Sequence, residues 1–174
     1  MHKALLLTLI FFLNGCANNM KPTDFKDQKP RLVIEDFLSG NVKAWGILQN
    51  RSGKVIRQFS ADLNGSWDGK QLILDEKFNW TDGEVQLRKW KINKIDEHNY
   101  EGTAADVVGT ARGYSYGPAF KFEYVLLVPI KGKEIKITFD DWIFKQDDRV
   151  AINRAIMKKF GFKVAELTVT FVKN

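Results

Sequence analysis

Histidine and cysteine, on which most metal sites and many active sites depend, are nearly absent from this sequence. Its 174 residues include one cysteine, Cys16, and two histidines, His2 and His98. A single cysteine excludes an internal disulfide and a cysteine-cluster metal site. One histidine beyond the start of the chain excludes a two-histidine metal centre and leaves a nucleophilic serine only one possible base. We therefore predict no metal and no cofactor, and the low histidine count argues against an enzyme.

A long apolar run is also missing. Residues 4–13 are apolar except for Thr8, but a span of the bilayer core takes roughly 20 residues. A short positive start followed by such a run is typical of a secretory signal. The next residues, Leu13-Asn14-Gly15-Cys16, resemble a bacterial lipobox, although Asn14 is bulkier than the usual Ala or Ser. We predict a signal peptide over residues 1–15 and lipidation of Cys16. The alternatives are an ordinary cleaved signal or an uncleaved membrane-proximal helix.

Lipobox processing implies an acylated cysteine that carries a diacylglycerol, with a further chain such as palmitate on its amino group. More than one acyl chain gives stable membrane attachment. Ala17 follows the cysteine, and the absence of Asp there resembles the sorting pattern of outer-membrane lipoproteins. We predict a bacterial envelope protein anchored at the periplasmic face of the outer membrane. Residues 16–30 are predicted to be the lipidated Cys and a flexible tether, unless Phe25 docks on the domain.

The charge balance is basic, with 27 Lys and Arg against 21 Asp and Glu. Nucleic acid is not an expected partner behind a secretion signal. Anionic lipid head groups or lipopolysaccharide fit this charge better. The alternative is that scattered lysines only keep the protein soluble.

The chain from residue 31 to 174 is predicted to be one domain of antiparallel strands. Phe120, Phe122, Tyr124, Leu126 and Val128 alternate with other residues in the clearest period-2 run of the sequence. Eight or nine strands at this spacing indicate a sandwich or barrel, and closure into a barrel removes exposed edges. Residues 31–38 are an entry strand or a short helix.

One later segment has the spacing of a helix. Ile152, Ile156 and Phe160 recur every four residues, and Gly161 suits the position after a helix. We predict a short helix over residues 147–160, although the segment also resembles a poorly alternating strand. A barrel with a late helix is similar to the calycin superfamily, which includes the lipocalins, and this is an analogy of fold alone.

A predicted hairpin over residues 71–95 carries the most informative residues. A two-residue turn at Asp82-Gly83 pairs Trp80 with Val85 and places Arg88 and Trp90 on the polar face with Asp75. That face is either solvated, as is usual for antiparallel sheets, or it lines a ligand cavity. In the second case Arg88 would hold a carboxylate head group.

Further candidates lie later in the chain. The glycines at 109 and 113 indicate a bulge or a close approach to ligand, and Arg112 lies between them. Asp140 and Asp141 point to opposite faces of a strand, so they cannot enter one site together. His98 is expected in a solvated turn. The residues predicted to bind ligand are Asp75, Arg88, Trp90, Arg112, Tyr124, Asp141 and Trp142; none is predicted to be catalytic.

Several short motifs together resemble a known family. They include Arg88-x-Trp90, Asp140-Asp141-Trp142 and the stretch from Gly102 to Ala111 that contains Asp106-Val107-Val108-Gly109. They resemble a family of uncharacterised proteobacterial lipoproteins, classed as a domain of unknown function, over roughly residues 31–172. The resemblance implies an envelope lipoprotein with a calycin-like barrel. Its members are often encoded near enzymes that modify fatty acids.

We therefore expect a lipid-anchored barrel that binds a hydrophobic small molecule, such as a fatty acid or lipid, for lipid modification or transport. One alternative is a non-catalytic structural or interaction module of the outer membrane, which would expose an apolar patch. The other is a lipid hydrolase or isomerase that uses Asp or Glu with Arg.

Overall fold

The computed structural model describes residues 20–174, which form a closed barrel of ten antiparallel strands. The strands are β1 (Gly40–Asn50), β2 (Val55–Trp67), β3 (Gln71–Trp80), β4 (Val85–Lys94), β5 (Asn99–Thr103), β6 (Ala111–Tyr116), β7 (Ala119–Ile130), β8 (Lys133–Lys145), β9 (Val150–Lys159) and β10 (Phe162–Lys173). Each strand pairs with the next, and β10 pairs with β1. The predicted antiparallel β-barrel is confirmed, with ten strands instead of eight or nine.

The two ends of the barrel differ. One end, which we call the mouth, carries the turns at residues 51–54, 81–84, 131–132 and 160–161 and the loop at 104–110. The other, closed end is covered by a short helix, α1 (Ile34–Leu38). Residues 31–38 therefore contain the short helix that was one of the two expectations for this segment.

Helix α1 is held in the closed end by apolar packing and one buried carboxylate. Leu32, Ile34 and Phe37 are at most 4 % exposed. Glu35 accepts hydrogen bonds from Lys94 Nζ at 2.5 Å and from the Tyr100 hydroxyl at 2.9 Å. Burial alone would raise the pKa of Glu35, but these donors lower it below its ordinary value. At the closed end, the lumen is therefore filled by the side chains of α1 and its neighbours.

Part of the segment predicted to be a tether contacts the barrel. It contains a single 3-10 turn, Pro22–Phe25. The Phe25 ring contacts Trp142 and Phe144 on the outer wall, with centroids 6.0 and 5.5 Å away. This is the arrangement in which Phe25 docks on the domain, so residues 21–30 are not free to act as a tether.

The helix predicted over residues 147–160 was wrong. Residues 150–159 form β9, which pairs with β8 and β10. Ala151, Asn153 and Ala155 point inward and are buried. Because these inward side chains are small or polar, the apolar alternation of a strand is not visible in the sequence. The helical spacing came from Ile152 and Ile156 on the outer face and Phe160 in the turn.

The predicted pairing in the β3–β4 hairpin was wrong by one residue. Asn79 pairs with Val85 and Glu76 with Arg88, because the loop has three residues, 81–83, with Gly83 at φ +90°. A three-residue loop ending in a left-handed residue is a common hairpin form. A shift of one residue reverses the face of every side chain. Arg88 and Trp90 therefore face the lumen.

The barrel wall is incomplete near the mouth. β4 pairs with β5 only through residues 91–94, and β6 pairs with β7 only through residues 119–123. The loop at 104–110 runs along β7, where Val108 N donates to Val125 O. Within residues 20–174, no backbone hydrogen bond joins this loop to residues 85–90 of β4. The backbones are therefore unpaired here, and we call this gap in the hydrogen bonding the side slit.

Candidate functional site

Charged side chains gather inside the barrel next to this slit. Arg88 extends from β4 and donates through Nε and Nη2 to Oδ2 of Asp106, at 3.0 and 2.9 Å. Arg88 Nη1 lies 4.0 Å from Oε2 of Glu76 on β3. One guanidinium thus faces two carboxylates, and the Arg88–Asp106 pair joins the two sides of the slit.

Another buried carboxylate, Asp141, lies beside these charged groups. Asp141 accepts a hydrogen bond from the Tyr124 hydroxyl at 2.9 Å and a short one from the Asn153 amide, which also donates to Trp142 O. Burial and the charge of Asp141 raise the pKa of Tyr124 well above its ordinary value. Tyr124 therefore stays a neutral donor. We call Glu76, Arg88, Asp106, Tyr124, Asp141 and Asn153 the polar cluster.

Aromatic rings form the floor and one wall of this cluster. Trp90 contacts Phe122 and Tyr124, with ring centroids 5.1 and 5.3 Å away. Tyr124 stacks on Phe139 at 4.9 Å. Gly102 in β5 leaves space for Phe122, because a Cβ there would lie 2.5 Å from the ring. The surroundings are apolar, so charges in the cluster interact strongly.

The cluster remains reachable although its side chains point inward. The side chains of Glu76, Arg88 and Asp106 are 11, 15 and 29 % exposed. An inward side chain in a closed barrel has accessible surface only where a void or an opening adjoins it. The lumen is therefore filled at the closed end, and the polar cluster is partly accessible to solvent beside the slit.

The polar cluster is acidic and incompletely paired. Burial raises the pKa of Glu76 to about 7, despite the nearby charge of Arg88. Burial also raises the pKa of Asp141 to about 6, although Tyr124 and Asn153 donate hydrogen bonds to it. Within the described residues, Glu76 Oε2 and Asp106 Oδ1 are buried without a hydrogen-bond partner. These oxygens can accept hydrogen bonds from a ligand.

Four of the predicted ligand-binding residues lie in the lumen: Arg88, Trp90, Tyr124 and Asp141. Asp75, Arg112 and Trp142 lie on the outer face instead. Asp75 pairs with Lys89 at 3.0 Å, Arg112 is exposed on β6, and Trp142 is covered by Phe25. Strand alternation sends each of them outward, away from the polar cluster. Cys16 lies outside the described residues.

Sequence reasoning missed three members of the cluster. The predicted pairing of Trp80 with Val85 set Glu76 opposite Lys89, which lies on the other face. Asp106 stands in one of the motifs that carried the family resemblance, but no local pattern showed that Asp106 or Asn153 faces the lumen. Asp140 and Asp141 do point to opposite faces, as predicted: Asp140 pairs with Lys158 outside, at 3.2 Å.

A groove on the outer face passes over two residues of the polar cluster, since Glu76 and Arg88 are among the residues that line it. The groove, of about 530 Å³, crosses β2, β3 and β4, where Asp62 and Asp75 are paired with Lys43 and Lys89. Among residues 20–174 no three His, Cys, Asp or Glu side chains are grouped to hold a metal ion. No helix in that range has the length and apolar character needed to span a bilayer.

Comparison with known proteins places the chain in a family and a fold. A model of the DUF3833 family, described as a protein of unknown function, matches residues 10–173. A solved protein of unknown function from the DUF3598 family of Nostoc punctiforme PCC 73102 has a TM-score of 0.63 and 14 % identity. That match covers 84 % of this chain and 51 % of the Nostoc chain, so this chain spans about half its length.

The match to a second solved structure extends over nearly the whole of that protein. The S-type phycobiliprotein lyase CPES from Guillardia theta matches with a TM-score of 0.60 and 9 % identity, over 80 % of this chain and 90 % of the lyase. Identities this low show a shared fold alone. No curated protein matches the sequence.

Proposed function

Since the chain belongs to the DUF3833 family, whose function is unknown, we propose a function from its own geometry: the barrel binds a small amphiphilic molecule through the side slit. The observation that carries this proposal is the polar cluster, which is inward-facing, partly accessible and supplied with unpaired acceptor oxygens. Binding sites are characteristically apolar cavities with a few convergent polar groups.

The electrostatics of the cluster select the head group of that ligand. Arg88 was predicted to hold a carboxylate, but Asp106 already occupies its Nε and Nη2 donors. The polar cluster holds three carboxyls and one cation, so a fatty-acid carboxylate would add a further negative charge in an apolar site, which is costly. A hydroxyl, amide or ammonium group donates to Glu76 and Asp106 without that cost. We therefore expect a lipid-like ligand with a neutral or cationic head.

Three ligands of equal chain length test this expectation: octylamine, octanol and octanoate, titrated by calorimetry at pH 7.5. The amine and the alcohol should bind more tightly than the acid, by at least tenfold, or about 1.4 kcal/mol. Glu76→Gln should weaken the amine and leave the alcohol nearly unchanged. Asp75→Asn, one residue away on the outer face, is the matched control and should change neither. Tightest binding of octanoate, or binding of none of the three, would contradict the proposal.

We also propose that the chain is a lipoprotein of the bacterial outer membrane, anchored through Cys16. The lipobox-like sequence supports this. Only eight residues separate Cys16 from Phe25, whose ring contacts the barrel wall. An extended chain spans at most about 3.6 Å per residue, so the anchor would hold the barrel close to the lipid. After a high-salt wash, which removes proteins held by charge alone, Cys16→Ser should leave the membrane fraction and lose labelling by a palmitate analogue; retention of both would refute the anchor.

A second candidate function is favoured by the pKa of Glu76, which lies at about 7 beside a second raised carboxyl, Asp141. Such a pair suits general acid and base catalysis, so the barrel would hydrolyse or isomerise the lipid it binds. The discriminating variant is Asp141→Asn, assayed by mass spectrometry of envelope lipids from cells. A lipid product that disappears in this variant favours the enzyme. An unchanged lipid profile leaves only the binding function.

A further inference from the structure

Two neighbouring hairpin turns at the mouth form a basic and apolar protrusion. The β7–β8 turn contributes residues 130–136, and the β9–β10 turn contributes residues 158–163. β8 and β9 pair with each other up to Thr138 and Lys158, so the two turns lie side by side. We call these two segments the basic rim.

The apolar part of the basic rim is unusually exposed. Phe160 is 88 % exposed and Phe162 is 71 % exposed, and Ile130 on the neighbouring turn is 42 % exposed. Exposure of a single apolar residue is ordinary, but a group of large apolar side chains on one protrusion marks an interaction site.

The backbone at Phe160 adds a second, independent observation. Phe160 has φ +50° and is followed by Gly161 at φ +81°. Asn and Gly are favoured in this left-handed region, and a bulky residue there is strained. Within the described residues Phe160 gains little in return, since its ring is covered only by the Lys159 ammonium at 5.3 Å. A side chain that is both strained and exposed is best explained by a contact outside the barrel.

The charges around these rings are mainly positive. Lys158 pairs with Asp140 and Lys163 with Glu166. Within residues 20–174 the other lysines of the rim have no carboxylate within ion-pair distance; they are Lys131, Lys133, Lys136 and Lys159. Glu134 is the only acidic residue in the two segments. The four lysines without an ion-pair partner therefore lie on the same two turns as the exposed rings.

We propose that the basic rim docks on an anionic lipid bilayer, with Phe160 and Phe162 inserted at the head-group level and the lysines against lipid phosphates. Aromatic side chains flanked by lysines have the composition of membrane-interfacial segments, and each nearby cation adds attraction to an anionic surface. Protein interfaces are instead depleted in lysine and need a broad, well-packed area. The proposal depends neither on ligand binding in the lumen nor on acylation of Cys16.

Co-sedimentation with vesicles tests the proposal. The chain used is residues 17–174, which retain all ten strands, α1 and the Pro22–Phe25 turn and exclude Cys16. It should bind phosphatidylcholine vesicles that contain phosphatidylglycerol and should bind pure phosphatidylcholine weakly. High salt should weaken the binding, because screening acts on exposed charges.

Phe160→Asn separates docking from folding. Asn suits the left-handed turn, so the variant should unfold at the same or a higher temperature. Its partition onto anionic vesicles should fall by roughly tenfold, since a large apolar side chain is lost from the contact. Leu87→Thr is the matched control: Leu87 is 74 % exposed on β4, five strands from β9 around the barrel, and its loss should leave binding unchanged.

Equal binding of Phe160→Asn and the parent chain would overturn the proposal. So would equal binding to charged and uncharged vesicles. No binding to either vesicle would also overturn it and would assign the rim to a protein partner instead.

Discussion

Glu76 is a carboxyl whose proton is bound more tightly in the folded barrel than in the unfolded chain. Its side chain is 11 % exposed, and burial raises its pKa from 4.5 to about 7. The folded state therefore keeps a proton that the unfolded state releases. Stability that depends on this proton is complete below pH 4.5 and is lost as the pH rises to 7.

The free energy of unfolding should consequently fall between pH 5 and pH 7.5, by up to about 3 kcal/mol from Glu76 at 1.4 kcal/mol per pKa unit. Urea denaturation across this range measures the slope. Glu76→Gln should make the slope shallower, with a smaller part remaining from Asp141, whose pKa burial raises to about 6. Identical slopes in the two proteins would show that Glu76 is not buried as described.

Arg88 and Arg112 differ only in the face to which alternation sends them. Arg88→Met leaves Glu76 and Asp106 without their cation, and breaking such a buried pair costs about 3 kcal/mol or more. Arg112→Met removes an exposed side chain from β6, and surface changes stay within about 0.5 kcal/mol. Thermal unfolding of the two variants at one pH provides the comparison. Similar losses would contradict the assignment of Arg88 to the lumen.

Helix α1 and strand β2 are in close backbone contact at the closed end. A Cβ on Gly65 would lie 2.0 Å from the carbonyl oxygen of Leu38. Space for α1 thus depends on the absence of one side chain. The five-residue helix is too short to be stable alone, so its position in the lumen depends on this contact and on Glu35.

Gly65→Ala should therefore displace α1 and reduce stability by about 1–3 kcal/mol, as overpacking does. Hydrogen exchange at residues 34–38 should accelerate in the same variant. Ser66→Ala, on the exposed face of β2, serves as the control and should change neither quantity. A Gly65→Ala variant with wild-type exchange at α1 would show that the helix does not rest on β2.

The two ends of the barrel differ in how completely their strands are hydrogen-bonded. At the closed end every strand pair is hydrogen-bonded, and α1 covers the core. Near the mouth, β4 lacks a backbone partner on the side of the loop at 104–110 within the described residues. The proposed ligand would enter through this gap, where no strand pairing has to break.

Hydrogen exchange should reveal this gradient. Amides at residues 91–94 of β4, which lie between β3 and β5, should be protected to near the global stability. Alternate amides at residues 85–90 should exchange faster, because those that point into the slit have no acceptor. Uniform protection along β4 would mean that the slit is closed by backbone pairing.

Much of the architecture could be predicted from local patterns. The alternation from Phe120 to Val128 and the turn glycines predicted antiparallel strands, and a period of two placed Asp140 and Asp141 on opposite faces. Only part of the site could be predicted. The inward position of Arg88 depended on whether the loop before it has two residues or three, and Asp-Gly suits both.

By itself, the sequence determined the class of fold, because inward and outward residues alternate over enough strands that only a β-sheet can bury them. Tertiary structure alone decided the rest. Residues 150–159 form a strand because they hydrogen-bond to β8 on one side and to β10 on the other, although their local sequence suits a helix as well as a strand. Arg88 met Asp106 because pairing brought together residues 18 positions apart. Which charged side chains face the lumen depends on how the strands are paired, and that pairing is set by the neighbouring strands.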